Sequence, residues 1–424
     1  MSDKTPKQQK IAIIGGGIMG VALAYHLSND ERFHVTLFER GSKLGGLAGY
    51  IKYDGVRMDR FYHTILSSDL SMQSLIEETG VKQYLHFTAT KQGFYDGGKL
   101  YPFNTPIDLL KFPPLNIFQR FRLGLQVIYA QFQSDWRKMD DIPVEKWLLR
   151  VSGRGVYQKV WKPLLRAKFD SEATDVPATY IWSRLRRMLG TRQGVTSKEM
   201  MCYLENGYYT LIEAMANQAQ DRGVDIRLDT AIDEIMIEDD RVTGLRTPDG
   251  EAHFDVVIST LQSPILLKLI PHAPPQFQEL LRKQEYLGVL CPMLIMKRSL
   301  IPYYVLNITD ETIPFTAVVE TTNLIDPKHV NGYHLIYLPK YIPWTHEMAS
   351  WSDDKVRDEW LVYLKRMFPD FQEDWISEFL VHRARYVEPL RPLGTSDEIP
   401  RVRTPVPGLY MGNTAMVYPE LANC

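Results

Sequence analysis

The stretch from Ile11 to Glu39 constrains this chain more than any other. Ile11-Ala12-Ile13-Ile14 is a short, β-branched apolar run, as suits a strand buried on both faces of a parallel sheet. Gly15-Gly16-Gly17-Ile18-Met19-Gly20 follows and fits G-x-G-x-x-G through Gly15, Gly17 and Gly20. Gly15 permits a tight turn, Gly17 lets a pyrophosphate approach the bare backbone, and Gly20 lets the next helix pack close to the strand. Met19 to Ser28 reads as that helix, whose N-terminus points free N–H groups and a positive dipole at phosphates. A second strand, His34 to Phe38, ends in Glu39. A βαβ unit places an acid about 20 residues past the glycines to accept from ribose hydroxyls, and such an acid repels a 2′-phosphate. The alternative is a glycine-rich turn in an α/β domain that binds nothing.

After Glu39 and Arg40 comes a second glycine pair, Gly45-Gly46, before Leu47. These glycines let a loop return against the cofactor and offer backbone amides to phosphate oxygens. The plain reading is a surface loop.

At 424 residues the chain is too long for one core, since single cores stop growing near about 250–300 residues. Apolar residues make up 45% and charged residues 24%, and the formal net charge is −2. Nothing in that balance points to nucleic acid. Cys202, Cys291 and Cys424 are few and widely spaced, so neither a disulfide framework nor a zinc site is expected and a cytoplasmic setting fits. Lys4, Lys7 and Lys10 ahead of the apolar run Ile11–Leu27 resemble a targeting segment. The run is shorter than the ~20 residues of a spanning helix, and its glycines make poor helix, so the βαβ reading is preferred.

Four later segments bear on the same unit. The pattern GGGIMG, FER, GGLAG and MDRFYH (Met58–His63) resembles the FAD-binding superfamily of protoporphyrinogen oxidase, phytoene desaturase, amine oxidases and UDP-galactopyranose mutase. Leu204–Ala214 is similar to the segment in which a glycine opens a long helix, and Gly223–Ile235 to the strand beside the adenine. Phe254–Pro264 resembles a cofactor-touching strand and turn, and Val406–Glu420 the C-terminal flavin motif. The protoporphyrinogen oxidase and phytoene desaturase branch fits best. Motif and resemblance together imply FAD contacts at Gly15, Gly17, Ile18, Met19, Gly20, Glu39, Arg40, Gly45, Gly46, Leu47, Arg60, Ala231, Ile232, Thr260, Gly412 and Asn413. The departures are Asn413, where the family has Asp, Leu47, where many relatives carry a basic residue, and the absence of a long helix after the last motif. Weakened flavin binding is the expectation from them.

The implied fold is α/β: a Rossmann-like FAD-binding domain, with helices on both faces of a parallel sheet, plus an α+β substrate domain with an antiparallel sheet. Expected segments are 1–66, 202–262 and 401–424 for the cofactor domain, and 67–201 and 263–400 for the substrate domain. Runs between Leu287 and Ile342 predict the antiparallel sheet, and Asp353–Phe368 an amphipathic helix.

Ile107–Met139 mixes Phe112, Phe118, Phe121, Tyr129, Phe132 and Trp136 with Lys111, Arg120, Arg122, Arg137 and Lys138. A core helix with a solvated basic side is favoured over a membrane-surface patch, so peripheral membrane association stays a secondary expectation. Arg184, Arg186, Arg187 and Arg192 read as a solvated helix face rather than an anion site. His63 and Tyr62 are the catalytic candidates, His63 for its ordinary titration near neutral pH, against a purely structural histidine. The remaining histidines, including His329, show no metal spacing, so no metal is expected. The leading function is an FAD oxidoreductase taking hydride from a largely apolar small molecule and passing electrons to oxygen or another acceptor. A redox-neutral mutase using Arg184 or Arg187 on a diphosphate, and a non-catalytic nucleotide-binding relative, are the alternatives.

Overall fold

A computed structural model describes residues 8–169, 175–190 and 199–419. Five strands form a wholly parallel sheet: β1 (Gln9–Ile14), β2 (Phe33–Phe38), β3 (Asp225–Arg227), β4 (Val256–Ser259) and β5 (Leu409–Met411). Their spatial order is β3-β2-β1-β4-β5. Ile11, Ala12 and Ile13 are buried because β1 is central, with Val35 at its side in β2 and Val256 in β4 opposite Ile11. Three separated stretches of chain thus build one sheet. Helix α1 (Ile18–Leu27) and the helix Tyr209–Asp221 cover one face through Val21, Ala24, Leu211 and Met215. Leu266, Phe277 and Leu281 pack on the other.

A second, eight-stranded sheet is centred on Tyr286–Met296, all of whose residues are buried. It pairs antiparallel with Ile376–Pro389, His334–Tyr337 and Lys340–Ile342. The sheet is mixed rather than antiparallel throughout: Val305–Ile308 runs parallel to Gln92–Asp96, a strand contributed from more than two hundred positions earlier. The helix Asp353–Met367 lays Val356, Trp360 and Leu364 on this sheet and is capped by Ser352, whose hydroxyl accepts from the Lys355 amide.

Helices Ile117–Phe132, Val144–Val151, Lys162–Phe169 and Thr179–Gly190 share a core of Leu123, Trp147, Trp161 and Trp182. The preference for a core helix with a basic outer side fails at Ile117–Phe132. Only Leu123, Gln126 and Ala130 are buried. Phe118 and Phe132 are each 82% exposed, and Ile117, Phe121, Leu125, Ile128 and Tyr129 are exposed with them. At 3.6 residues per turn these seven fall on one stripe. The helix arginines are tied to backbone instead: half-buried Arg120 donates to the Leu110 and Leu115 carbonyls, and exposed Arg122 to those of Arg150 and Val151. Among the described residues no helix is long and apolar enough to cross a membrane.

Candidate functional site

The glycine turn sits at the C-terminal edge of the parallel sheet, between β1 and β4, where the strand order reverses and open α/β sheets take ligands. The Gly15 amide bonds the Phe38 carbonyl at 2.8 Å, and Gly15 has φ +108°. A Cβ there would lie 2.5 Å from the Thr260 hydroxyl, which itself donates to the Ile14 and Gly15 carbonyls at 3.0 and 3.1 Å. Thr260, expected to touch the cofactor, therefore braces the turn from β4. A Cβ on Gly20 would strike the Gly15 carbonyl oxygen, which is why the helix packs close only with glycine there. A Cβ on Gly17 would meet nothing within 4 Å. Gly17 also stands at the N-cap of α1 with no side-chain cap, so the first amides of the helix face that same space.

Glu39 leaves β2 beside this space. Its carboxylate accepts from the Gly16 amide at 2.7 Å and from the Gly41 amide at 2.8 Å. The Thr230 amide bonds the Glu39 carbonyl at 2.9 Å and brings exposed Ala231 and half-buried Ile232 alongside. The second glycine pair packs on the glycine turn: Gly45 donates to the Gly16 carbonyl at 2.8 Å, and a Cβ on Gly46 (φ +55°) would lie 3.2 Å from Gly17 Cα. Gly412, at the end of β5, lies against Met19, whose sulfur would be 3.2 Å from an added Cβ. Arg40 points to solvent, and Arg60 lies over the Phe61 ring. Leu47 packs against the cluster of Met58 and Phe61 rather than reaching out as a basic residue would.

Asn413 is spent internally. Its amide donates to the Leu261 carbonyl at 3.0 Å, and its Oδ1 caps the Ala415 amide at 2.9 Å, opening a single helical turn, Thr414–Met416. A neutral amide serves both roles, donor and acceptor, which a carboxylate would not.

The residues present fit a dinucleotide. The turn is packed so tightly that no Cβ fits at Gly15, Gly16 or Gly20, and it offers an open approach at Gly17, helix amides with no side-chain cap, and a carboxylate at the end of the second strand.

The catalytic candidates sit deeper. Burial holds the His63 ring neutral, its pKa lowered to about 4, so it does not titrate near neutral pH as its ordinary value predicts. Its Nδ1 has no hydrogen-bond partner. Nearby Asp59 is pushed up to about 7 by burial, eased by the Tyr208 amide at 3.3 Å. Tyr62 shares a 2.8 Å hydrogen bond with the Tyr341 hydroxyl. Of the group that lies beyond, the sequence pointed only to Arg184. Lys168 Nζ is 2.8 Å from a Glu388 carboxylate oxygen and 3.1 Å from the centre of the Tyr341 ring. Desolvation lowers the Lys168 pKa to about 8 against the pull of Glu388. Arg184 stacks over Tyr180 at 4.8 Å and feels Glu388, Tyr341 and Tyr62, so its charge is supported by this group of aromatics and one carboxylate. Tyr180 and Glu388 also line a cavity of about 550 Å³, mouth included, between Phe169, Arg391 and Tyr418.

The arginine cluster thus splits. Arg184 turns to this group, Arg186 lies over Trp182, Arg187 binds both oxygens of Asp69 at 3.0 Å, and Arg192 falls outside the described residues. The expectation of no metal set also meets a difference: His86, Glu205 and His329 offer donor atoms within 4.8 Å of one another, a grouping their sequence spacing concealed.

Three comparisons bear on this geometry. The chain is 22% identical over 297 residues to coproporphyrinogen III oxidase of Staphylococcus aureus, covering 63% of each chain. It is 24% identical over 299 residues to a 4,4'-diapophytoene desaturase of Staphylococcus haemolyticus, covering 62% of this chain and 58% of that one. The matches therefore span about three-fifths of these relatives' length. A putative protoporphyrinogen oxidase from Exiguobacterium superposes with TM-score 0.76 at 22% identity over 96% of this chain and 94% of that one. A reduced UDP-galactopyranose mutase superposes with TM-score 0.70 at 15% identity over 92% and 86%. Both share the fold. The sequence profile described as "Flavin containing amine oxidoreductase" matches residues 18–420. A chain with this sheet, this glycine cradle and a match of that extent belongs to the flavin-containing amine oxidoreductase family.

Proposed function

We propose that this chain is an FAD-dependent oxidoreductase that takes hydride from a C–C or C–N bond of a largely apolar molecule and passes the electrons to oxygen or another small acceptor. The observation that carries this reading is the open face of Gly17 beside Glu39, at the reversal of strand order. Flavin, when bound, supplies the two-electron chemistry. Gly17 and the first amides of α1 would hold the pyrophosphate, and Glu39 the adenosine ribose. Tyr62, held by Tyr341, and neutral His63 line one cavity and would orient an apolar substrate there. Lys168 and Arg184 against Glu388 leave one surplus positive charge, which suits a substrate with an acidic substituent. For the mutase alternative only Arg184 of the two named arginines remains, because Arg187 is already held by Asp69.

The exposed stripe of Ile117–Phe132 supports peripheral membrane association. Exposed Lys111, Arg137 and Lys138 flank the helix at its two ends and suit anionic headgroups. A surface of this kind gives an apolar substrate a route from the bilayer.

The test is the absorption spectrum of the purified protein, followed by anaerobic addition of coproporphyrinogen III or 4,4'-diapophytoene. Oxidised-flavin bands, bleached by one of these without added reductant, are the expected result. A colourless protein that takes up no FAD would overturn the reading.

A further inference from the structure

We propose that His86, Glu205 and His329 form a binding site for one divalent transition-metal ion, zinc by the character of its ligands. The site is separate from the flavin cradle and does not depend on it. His86 lies in the strand Leu85–Ala89, and Glu205 directly follows its partner strand Met200–Leu204. The two strands pair with His86 opposite Tyr203, and the Glu205 amide bonds the Tyr84 carbonyl at 2.9 Å. His329 comes from a distant part of the chain, in the short helical turn Pro327–Val330.

The donor atoms converge. Nε2 of His86 is 3.2 Å from Glu205 Oε2, and Nε2 of His329 is 3.9 Å from the same oxygen. Two ligands each about 2.0–2.1 Å from a tetrahedral zinc stand roughly 3.3 Å apart. The two histidine–carboxylate separations bracket that figure and all three donors lie within 4.8 Å of one another, so an ion would draw the two imidazoles together by side-chain movement. Two imidazoles and one carboxylate make a borderline donor set suited to zinc and its neighbours, and three protein ligands leave one coordination position open.

The surroundings orient these ligands. The Tyr203 hydroxyl is 3.4 Å from His329 Nδ1, which leaves Nε2 to face Glu205. The Asp326 amide donates to that hydroxyl at 3.2 Å and fixes it. The Tyr203 ring stacks on His86 at 5.1 Å. Outer partners of this kind set imidazole orientation in metal sites. The His329 side chain is only 10% exposed, whereas His86 and Glu205 are about one-third exposed and give an ion a way in. A bound ion ties the small sheet carrying His86 to the turn carrying His329. That turn also walls the cavity containing Asp59, His63 and Tyr337.

The test titrates ZnCl2 into chelator-treated full-length protein by calorimetry, with thermal unfolding read in parallel. One ion per chain is expected, with a higher Tm in zinc. His86→Ala and His329→Ala should each weaken binding by at least about tenfold and abolish the Tm rise. His86→Gln provides a milder variant if either alanine chain folds poorly, and His346→Ala, outside the cluster, should bind as the parent does. No heat and no Tm shift in the parent, or zinc binding that survives both histidine substitutions, would overturn the proposal.

Discussion

Glu39 Oε2 accepts the Gly16 amide at 2.7 Å, so the acid expected to meet a ribose already clamps the turn expected to meet a pyrophosphate. A Cβ on Gly16 would press on Leu44 and on Glu39 itself, so the two positions are coupled sterically as well. Glu39→Ala should cost about 1–3 kcal/mol of stability, since two backbone amides lose a charged acceptor. Glu39→Gln keeps one acceptor but turns an –NH2 toward the other amide, so it should lose part of that stability, less than Glu39→Ala, and bind FAD more weakly. Chemical denaturation and flavin titration separate the two effects; equal FAD affinity in Glu39→Gln would remove Glu39 from the cofactor site.

Gly17 and Gly20 should separate binding from folding. Gly17→Ala adds a methyl group to open space and should leave Tm nearly unchanged while lowering the flavin content of the purified protein. Gly20→Ala drives a methyl into the Gly15 carbonyl and should cost about 1–3 kcal/mol as well as flavin. Tm and the flavin-to-protein absorbance ratio are the measurements. Full flavin loading in Gly17→Ala would count against the cradle.

The Lys168–Glu388 pair should behave as a buried ion pair, with side chains only 10% and 18% exposed. Lys168→Met strands the carboxylate and should destabilise by about 3–5 kcal/mol, and the double change with Glu388→Leu should recover much of that. A double-mutant cycle with additive losses would show that the pair is not coupled.

Acid should act on His63 and Asp59 in opposite senses. His63 has a folded pKa of about 4, below its ordinary 6.5, so the unfolded chain binds the extra proton between those values and acidification across that window costs stability. His382, also lowered to about 4, adds to the same loss. Asp59 has a folded pKa of about 7, above its ordinary 3.8, so the folded chain takes the proton first and acidification from 7 toward 3.8 adds stability. Asp59→Asn should therefore be more acid-sensitive than the parent between pH 6.5 and 4, and His63→Gln less so. Urea unfolding at several pH values reads the sign, and a reversed order would contradict these environments.

Phe118→Ser with Phe132→Ser should reduce sedimentation with anionic vesicles severalfold while changing stability by less than about 0.5 kcal/mol, because both rings are 82% exposed. Unchanged vesicle binding would rule this face out as the membrane contact.

The nucleotide-binding half was legible because its signals are local. A β-branched run, three glycines at fixed spacing, and an acid at the end of the next strand lie within thirty residues, and each carries its own steric or electrostatic reason. The same holds for Asp353–Met367, whose apolar period and serine cap announce a helix. Burial and long-range proximity were decided only by tertiary structure. The neutral state of His63 follows from the protein packed around it, not from its neighbours in the chain. Lys168 meets Glu388, and His86 meets Glu205 and His329, because strands and turns from distant segments are folded together. The aromatic stripe of Ile117–Phe132 was visible as a period, but a period does not say which side faces inward; the packing of Leu123, Gln126 and Ala130 chose that, and left the larger apolar face outside.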